Sequence, residues 1–190
     1  MLSRNDAVMD FLLTRRSKPA KTISAPTPNK EALLEILNAA ARTPDHGKLV
    51  PWRFIVLQEK ALSNLANLVE TIGLKDSIPE EKIAKARKQL EDGHLAVAVI
   101  EVQKPSDKIP EIEQTYSTGA VCLALLNAAL AAGWGANWLT GWHVYNKSFI
   151  KNGLKLKDNE SIAGLIYLGT ATITPPERPR PTLDEIVEWL

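Results

Sequence analysis

Apolar residues recur every three or four positions along much of the chain, and this spacing predicts amphipathic helices. The predicted helices cover residues 5–15, 29–41, 60–72, 79–92 and 112–133. Shorter apolar runs are typical of strands, and the run from Leu95 to Ile100 is typical of a central, buried one. The predicted strands cover residues 53–58, 94–102, 135–139 and 161–169. Residues 182–185 have the pattern of a capping box and predict a last short helix.

The order of these elements predicts an α+β fold in which helices cover a sheet. Strands and helices do not alternate regularly, and no glycine-rich turn follows a strand, so a Rossmann fold is disfavoured. The prolines in Ala25-Pro26-Thr27-Pro28 predict an extended link between the first two helices. A length of 190 residues suits one domain, 1–190, or one subunit of a dimer.

Composition narrows the classes of function. The chain has 23 basic and 22 acidic residues, a net charge of +1, which argues against a nucleic-acid surface or a polybasic membrane patch. Cys122 is the single cysteine, so no internal disulfide framework is expected. Residues 1–16 lack the features of a secretory signal, and the apolar run 119–134 is short for a membrane span. We therefore expect a cytoplasmic protein with neither nucleic-acid nor membrane partners.

The segment from Arg42 to Trp52 concentrates residue types used in binding. It lies between a predicted helix and a predicted strand, so a rigid scaffold would hold it as a loop. His46 within it suits a general base, a metal ligand, a cofactor contact or a simple hydrogen-bonding residue. A metal site is disfavoured because the three histidines show no ligand spacing. Trp52 is interpreted as a core residue.

The triplet Arg15-Arg16-Ser17 ends the first predicted helix with two guanidiniums and a hydroxyl. Charge-assisted donors of this kind bind phosphate, although a solvated pair capping helix carbonyls would use the same residues. Arg15 and Ser17 do not share a helix face. The chain must therefore leave the helix here if all three side chains are to converge, and Pro19 is compatible with that.

Two further segments have two interpretations each. Ala120, Ala124 and Ala128 form a small-residue face that would admit another backbone, or would pack onto the chain's own sheet. The segment Gly133 to Gly141 is rich in glycine and tryptophan. Glycine there would let backbone approach a flat ring, whereas the alternative is an edge strand with core tryptophans.

The order and spacing of several segments together resemble the nitroreductase family of flavin enzymes, in particular its short branch with a Pro-Asp-His loop. The segments are 15–17, 42–56, 118–133, 164–169 and 178–181. The resemblance implies a mixed central sheet flanked by helices in an intertwined homodimer. It also implies that residues 174–190 pack on the partner subunit and that the two subunits share the flavin site.

The same resemblance implies FMN as cofactor and NADH or NADPH as electron donor. The triplet would bind the phosphate and ribityl groups, while the loop would reach the flavin held chiefly by the partner. Many relatives have a polar or basic residue where Leu139 stands, which leaves this residue a main-chain role. Arg178 or Arg180 is a further candidate for the phosphate. The expected FMN-binding residues are Arg15, Arg16, Ser17, Arg42, His46, Trp138, Leu139 and Thr140.

The implied reaction is a ping-pong cycle in which flat acceptors such as nitroaromatics or quinones are reduced. The flavin would carry the chemistry, so neither a catalytic side chain nor a metal is expected. One alternative is a flavin storage or sensing protein of the same fold with little turnover. Another is a hydrolase using Ser17 or Ser117 with His46, although no Gly-x-Ser-x-Gly elbow is present.

Overall fold

The computed structural model describes residues 3–190, so the first two residues of the predicted 1–190 domain lie outside the described part. The α-helices are α1 (Asp6–Thr14), α2 (Lys30–Ala40), α3 (Glu59–Lys75), α4 (Glu80–Glu91), α5 (Glu111–Ala131) and α6 (Lys147–Gly153). The strands are β1 (Ile23–Ser24), β2 (Trp52–Gln58), β3 (Leu95–Val102), β4 (Gly135–Leu139) and β5 (Glu160–Ala171). Short 3-10 turns cover Ala20–Thr22, His46–Lys48, Trp142–Tyr145 and Leu183–Glu185.

The sheet is antiparallel in every strand pairing of the described residues. Strand β5 is central: it pairs with β3, β4 and β1, and β3 pairs in turn with β2. The α+β class and the helix-flanked sheet are confirmed, whereas the expected mixed sheet is corrected for this chain. Helix α5 carries the chain back so that β3 and β4 run in the same direction. They do not form a parallel pair because β5 lies between them and runs opposite to both.

Helices cover both faces of the sheet, and alternate residues of β3 contribute to two apolar clusters. The first cluster lies under α3, α4 and α6 and includes Ala96, Ala98 and Ile100. The second lies under α2 and α5 and includes Val97, Val99 and Trp52, which confirms the core interpretation of that tryptophan. Both faces of β3 are therefore buried, as its continuous apolar sequence predicts.

Differences from the predicted elements have local causes. A single 3-10 turn covers Leu183–Glu185, and the side chain of Thr182 before it makes no capping hydrogen bond, so the predicted capping box is wrong. Helix α6 was not predicted because it has only seven residues and one buried side chain, Phe149. Its sequence signal was Asn146, whose side chain accepts hydrogen bonds from the backbone N–H of residues 148 and 149.

Helix α5 positions the loop and the strands around it. It buries Val121, Cys122 and Leu125 completely and leaves Ile112 and Tyr116 exposed. Along the described chain, we find no helix with both the length and the apolar character that a bilayer span requires. The sequence predicts that the apolar run 119–134 is a buried helix. One face of α5 confirms this prediction, and the other face is exposed to solvent.

His143 is a buried imidazole beside α6. It has no exposed surface, and neither ring nitrogen has a hydrogen-bond partner among the described residues. The ring packs edge-on against Phe149 and Trp142. Burial lowers the pKa of His143 to about 4, because the apolar surroundings disfavour the charged form. Folding therefore holds this group neutral.

We predict that protonation of His143 destabilises the fold in mild acid. The unfolded chain binds this proton near pH 6.5 and the folded chain only near pH 4, so stability falls as pH drops through that window. The loss is at most about 3 kcal/mol of unfolding free energy. Urea unfolding from pH 7.5 to 4.5 measures it. The variant His143→Met removes the titrating group, and a pH slope unchanged in this variant would contradict the assignment.

Candidate functional site

The first part of the candidate site is the arginine corner, Arg15-Arg16-Ser17. Helix α1 ends at Thr14, and Arg15 leaves it with a ψ of 140°, as the sequence predicts. Arg15 Nη2 then donates a hydrogen bond to Ser17 Oγ over 3.1 Å. Arg15 Nε is buried and has no hydrogen-bond partner among the described residues. The corner therefore holds a guanidinium with an unused donor.

The C-terminal tail closes over this corner. Arg16 Nη1 donates to the carbonyl of Pro175 over 2.8 Å, and Arg16 Nε lies 3.5 Å from a carboxylate oxygen of Glu177. Arg180 binds the same carboxylate at 2.6 Å, so this tail arginine is the one drawn into the cluster. Burial, and next the charge of Arg180, lowers the pKa of Arg15, while Glu177 acts in the opposite direction. The corner is thus a concentration of positive charge.

Strand β4 lies against the residues that follow the corner. The backbone N–H of Lys18 donates to the carbonyl of Ala136 over 2.9 Å, and the Asn137 side chain donates to the carbonyl of Lys18. These bonds place Lys18 beside the start of β4, and Ala20 and Leu139 lie together farther along, in the wall of one hollow. The segment that follows the corner therefore runs beside β4.

A hollow, which we term the α4 hollow, lies at the end of β4 that carries Leu139. It has a volume of about 310 Å³. Its walls include Ala20, Lys85, Lys88, Gln89, Leu139 and Tyr167. The Tyr167 hydroxyl and the Gln89 side-chain amide are buried there; burial raises the pKa of Tyr167, and a hydrogen bond with Gln89 acts in the opposite direction. Lys88 Nζ lies 2.9 Å from the carboxylate of Asp92, which lines the same hollow. The hollow therefore combines apolar walls with a buried tyrosine and amide and two lysines, one of them paired with a carboxylate.

The residues from α4 were missed by sequence reasoning. In sequence, Lys85, Lys88 and Gln89 look like the solvated face of a charged helix. Only the tertiary arrangement shows that this face borders Leu139. Tyr167 carried no signal either, because it lies in an apolar strand.

The side chains of residues 138–140 diverge. Leu139 faces the α4 hollow and packs on the first apolar cluster. Trp138 lies over Gly164, and its indole N–H donates to the carbonyl of Ala163 over 3.3 Å. Thr140 is exposed. Of the three, only Leu139 brings its side chain to the hollow.

The second part of the site is the loop that carries Arg42 and His46. His46 Nδ1 lies 2.6 Å from Glu113 Oε2 on the first turn of α5, and Ser117 Oγ donates to the carbonyl of Pro44 over 2.7 Å. Arg42 is exposed, and its guanidinium makes no hydrogen bond among the described residues. The loop is therefore attached to the N-terminal end of α5.

The two parts lie at opposite ends of that helix. The loop touches Glu113, whereas the arginine corner lies beside Ala136, just beyond the helix end at Ala131. Glu113 and Ala131 are 18 residues apart, which at about 1.5 Å per residue is about 27 Å. One chain does not bring Arg42 and His46 to the corner.

This arrangement also argues against the hydrolase hypothesis. A serine nucleophile needs a base within hydrogen-bond reach. Ser117 donates to a backbone carbonyl, His46 binds Glu113, and Ser17 lies at the other end of α5. Neither serine is paired with the imidazole.

The fold is that of an α+β protein whose arginine corner concentrates positive charge, as a site for an anionic ligand would. The chain belongs to the nitroreductase family, because the Nitroreductase family model matches residues 12–170. The resemblance recognised in the sequence is thereby confirmed.

Similar proteins of known sequence cover most of the chain. A Haemophilus influenzae protein named "Putative NAD(P)H nitroreductase" is 32% identical over 163 residues, which is 85% of this chain and 87% of that protein. "Putative NAD(P)H nitroreductase YdjA" of Escherichia coli K12 is 29% identical over 162 residues, again 85% of this chain and 87% of the relative.

Solved structures show the same fold. A nitroreductase-like family protein from Bacillus cereus superimposes with a TM-score of 0.81 at 23% identity, covering 100% of this chain and 99% of that chain. A nitroreductase-family structure from Desulfovibrio desulfuricans, solved in complex with FMN, has a TM-score of 0.76 at 19% identity and covers 99% of both chains. At these identities the likeness establishes the fold.

We predict that Gly47→Ala loosens the His46 loop. Gly47 has a φ of +71°, a conformation that costs an alanine about 1–2 kcal/mol. A Cβ there would also collide with Ile109 Cδ1, and shifting that buried side chain adds about 1 kcal/mol. Urea unfolding of the variant measures the sum.

The matched control is Gly133→Ala, where φ is +85° but a Cβ would meet nothing within 4 Å. This control isolates the backbone term. Equal losses for the two variants would show that the loop does not pack on Ile109.

Proposed function

We propose that this chain is an oxidoreductase that binds FMN without a covalent bond at an interface between two copies. It takes hydride from NADH or NADPH and reduces flat acceptors such as nitroaromatics or quinones in a ping-pong cycle. The observation that carries the proposal is the arginine corner, whose buried Arg15 Nε has no partner among the described residues and whose chain continues through Lys18 to Ala20 in the wall of the α4 hollow. Family membership and the FMN-bound neighbour of the same fold support it.

The corner fits the phosphate of FMN. A phosphate monoester carries about −1.5 to −2 charges and three acceptor oxygens at neutral pH. Arg15 Nε offers an unused donor, Ser17 offers a hydroxyl, and Arg16 and Arg180 add guanidiniums within the same cluster. Burial, and next the charge of Arg180, lowers the pKa of Arg15, and an anion here would offset both effects.

The α4 hollow fits the edge of the flavin ring. Leu139 and Ala20 give it apolar walls, and the buried polar atoms of Gln89 and Tyr167 supply a donor and a hydroxyl. The exposed ammonium group of Lys85 would attract negative charge on a reduced ring, whereas Lys88 is paired with Asp92 in the same wall. When bound, FMN supplies the two-electron carrier, and the chain supplies binding, orientation and charge.

A homodimer would bring the arginine corner of one chain close to the His46 loop of the other. If two α5 helices pack antiparallel about a two-fold axis, the N-terminal end of one lies beside the C-terminal end of the other. Arg42 and His46 of the partner subunit then reach the corner of the first. The flavin site would thus be shared between subunits.

The exposed apolar surface of the chain supports this assembly. On α5, Ile112, Tyr116 and Leu123 are 51%, 68% and 47% exposed and flank the exposed Ala120. Ala124 and Ala128 pack instead on the chain's own second cluster, so the small-residue face divides between the two interpretations. Helix α1 buries no residue at all.

The C-terminal tail also carries exposed apolar side chains, which support a homodimer. Leu183, Ile186 and Trp189 are 68%, 63% and 92% exposed, so residues 174–190 carry apolar side chains without a core of their own. We place this tail against the partner subunit, where burial of such surface is favourable.

The decisive experiment is the visible spectrum of the purified protein, followed by anaerobic addition of NADH or NADPH. A yellow protein with FMN near one per subunit that bleaches rapidly, and recovers on adding a quinone, is expected. A yellow protein that does not bleach would favour flavin storage or sensing. A colourless protein that cannot be reconstituted with FMN would refute the proposal.

We predict that Arg15→Met weakens binding of FMN but not of riboflavin, which lacks the phosphate. Loss of charge-assisted hydrogen bonds to the phosphate should raise the FMN dissociation constant about 100-fold, or about 3 kcal/mol. Fluorescence titration of both ligands measures the difference. Arg4→Met, at a residue whose side chain is 71% exposed, is the control. Equal losses for both flavins would place the phosphate elsewhere.

We predict that Leu123→Glu separates the dimer and lowers FMN affinity together. Leu123 is half exposed in one chain, so a charge there costs a monomer little, whereas an interface would bury it. Leu74→Glu, at a residue 69% exposed on α3, is the matched control and should change neither property. Sedimentation velocity and FMN titration measure the two. A Leu123→Glu variant that remains dimeric with normal affinity would rule out this face.

A further inference from the structure

The imidazole of His46 is held by a single side chain. The loop backbone is fixed by other contacts: Asp45 Oδ2 accepts from the N–H of Val50, and Ser117 Oγ donates to the carbonyl of Pro44, each over 2.7 Å. Among the described residues, only Glu113 hydrogen-bonds the ring itself, at 2.6 Å from Nδ1. Backbone contacts alone leave the ring free to rotate, so the orientation of His46 depends on this one carboxylate.

The chemistry of the pair determines which ring nitrogen is available. An ionised carboxylate only accepts hydrogen bonds, so the Nδ1 atom of His46 must carry the proton that it shares with Glu113. This bond selects the tautomer and leaves Nε2 as the ring atom that can meet a ligand. A buried or metal-bound histidine is commonly oriented by a carboxylate in the same way.

Stability does not account for this pairing. The side chains of His46 and Glu113 are 63% and 43% exposed in the single chain. Exposed ion pairs of this kind contribute little to folding. The pair lines a hollow of about 520 Å³ together with Tyr116 and Ala120, on the outward face of α5. In the proposed dimer this face meets the second copy.

We propose that Glu113 is a positioning residue that orients His46 toward the FMN bound chiefly by the partner subunit, an inference that rests on the proposed function. Glu113 does not touch the cofactor. It fixes the ring of His46 so that Nε2 projects into the interface, where the arginine corner of the second copy arrives. Each subunit thereby contributes a pre-oriented imidazole to the other's site.

The chain offers a matched control on the same helix turn. Glu111 is also acidic and exposed, and it lies two residues before Glu113. Residues two apart do not share a helix face, and the Glu111 carboxylate makes no hydrogen bond among the described residues. Glu111→Ala therefore removes the same charge from the same turn without touching His46.

The test is a double-mutant cycle on the FMN dissociation constant and the midpoint potential of the bound flavin. The variants are His46→Ala, Glu113→Ala, Glu113→Gln, the His46→Ala/Glu113→Ala pair and Glu111→Ala. Sedimentation velocity confirms that each remains a dimer. The potential is the discriminating measurement, because a carboxylate that only stabilised α5 would not shift it.

We expect His46→Ala and Glu113→Ala each to weaken FMN binding about tenfold and to shift the potential in the same direction. The double variant should be no weaker than the worse single one, because both changes remove one interaction. Glu113→Gln should fall between, since its amide oxygen still accepts from Nδ1 without charge assistance. Glu111→Ala should match the unmodified protein.

Two outcomes would overturn the role of Glu113 while leaving the proposed function intact. One is a Glu113→Ala variant with unchanged affinity and potential beside a weakened His46→Ala variant. The other is full additivity in the double variant. An unmodified protein that binds no FMN would instead refute the proposed function, and the inference would fall with it.

Discussion

The length of α5 is the constraint on which the rest of the site depends. With 21 residues it spans about 32 Å, and it carries the His46 loop at one end and lies next to the arginine corner at the other. Its inner face fills the second apolar cluster, so it can neither bend nor shorten without loss of the core. If the loop and the corner belong to one site, as we propose, a single chain cannot assemble it. Association with a second copy would then complete the site.

Much of the fold could be predicted because the hydrophobic pattern of each segment agrees with its burial in the structure. Strand β3 is apolar throughout and is buried on both faces, and Arg15 leaves the helix where its sequence requires it. The antiparallel sheet could not be predicted, because it depends on where β5 inserts, and strand order has no local signature. Helix α6 was too short for periodicity to reveal, although Asn146 capped it.

The sequence could predict only those residues of the candidate site that combine a reactive or charged side chain with a position next to turn residues. Arg15, Ser17 and His46 stood out because charge, hydroxyl or imidazole occurred beside turn residues. Lys88 did not, because a lysine on an amphipathic helix is the usual solvated residue, and only the packing of α4 against β4 and β5 gives it another neighbour. Glu113 is similar: nothing in sequence connects it with a histidine 67 positions earlier.

The position of the Glu177 carboxylate distinguishes two interpretations of the arginine corner: an anion site, or a cluster of salt bridges that only stabilises the tail. Arg15, Arg16 and Arg180 contribute three positive charges and Glu177 one negative charge, which leaves +2. A cluster built only for stability would be closed by its own carboxylate. Here Arg15 Nε has no partner in residues 3–190, and the exposed Glu177 is bound to Arg180 and, more distantly, to Arg16. The remaining charge matches that of a phosphate monoester. Glu177 therefore holds Arg180 at the corner and leaves the Arg15 guanidinium without a carboxylate partner among the described residues, as the proposed FMN site requires.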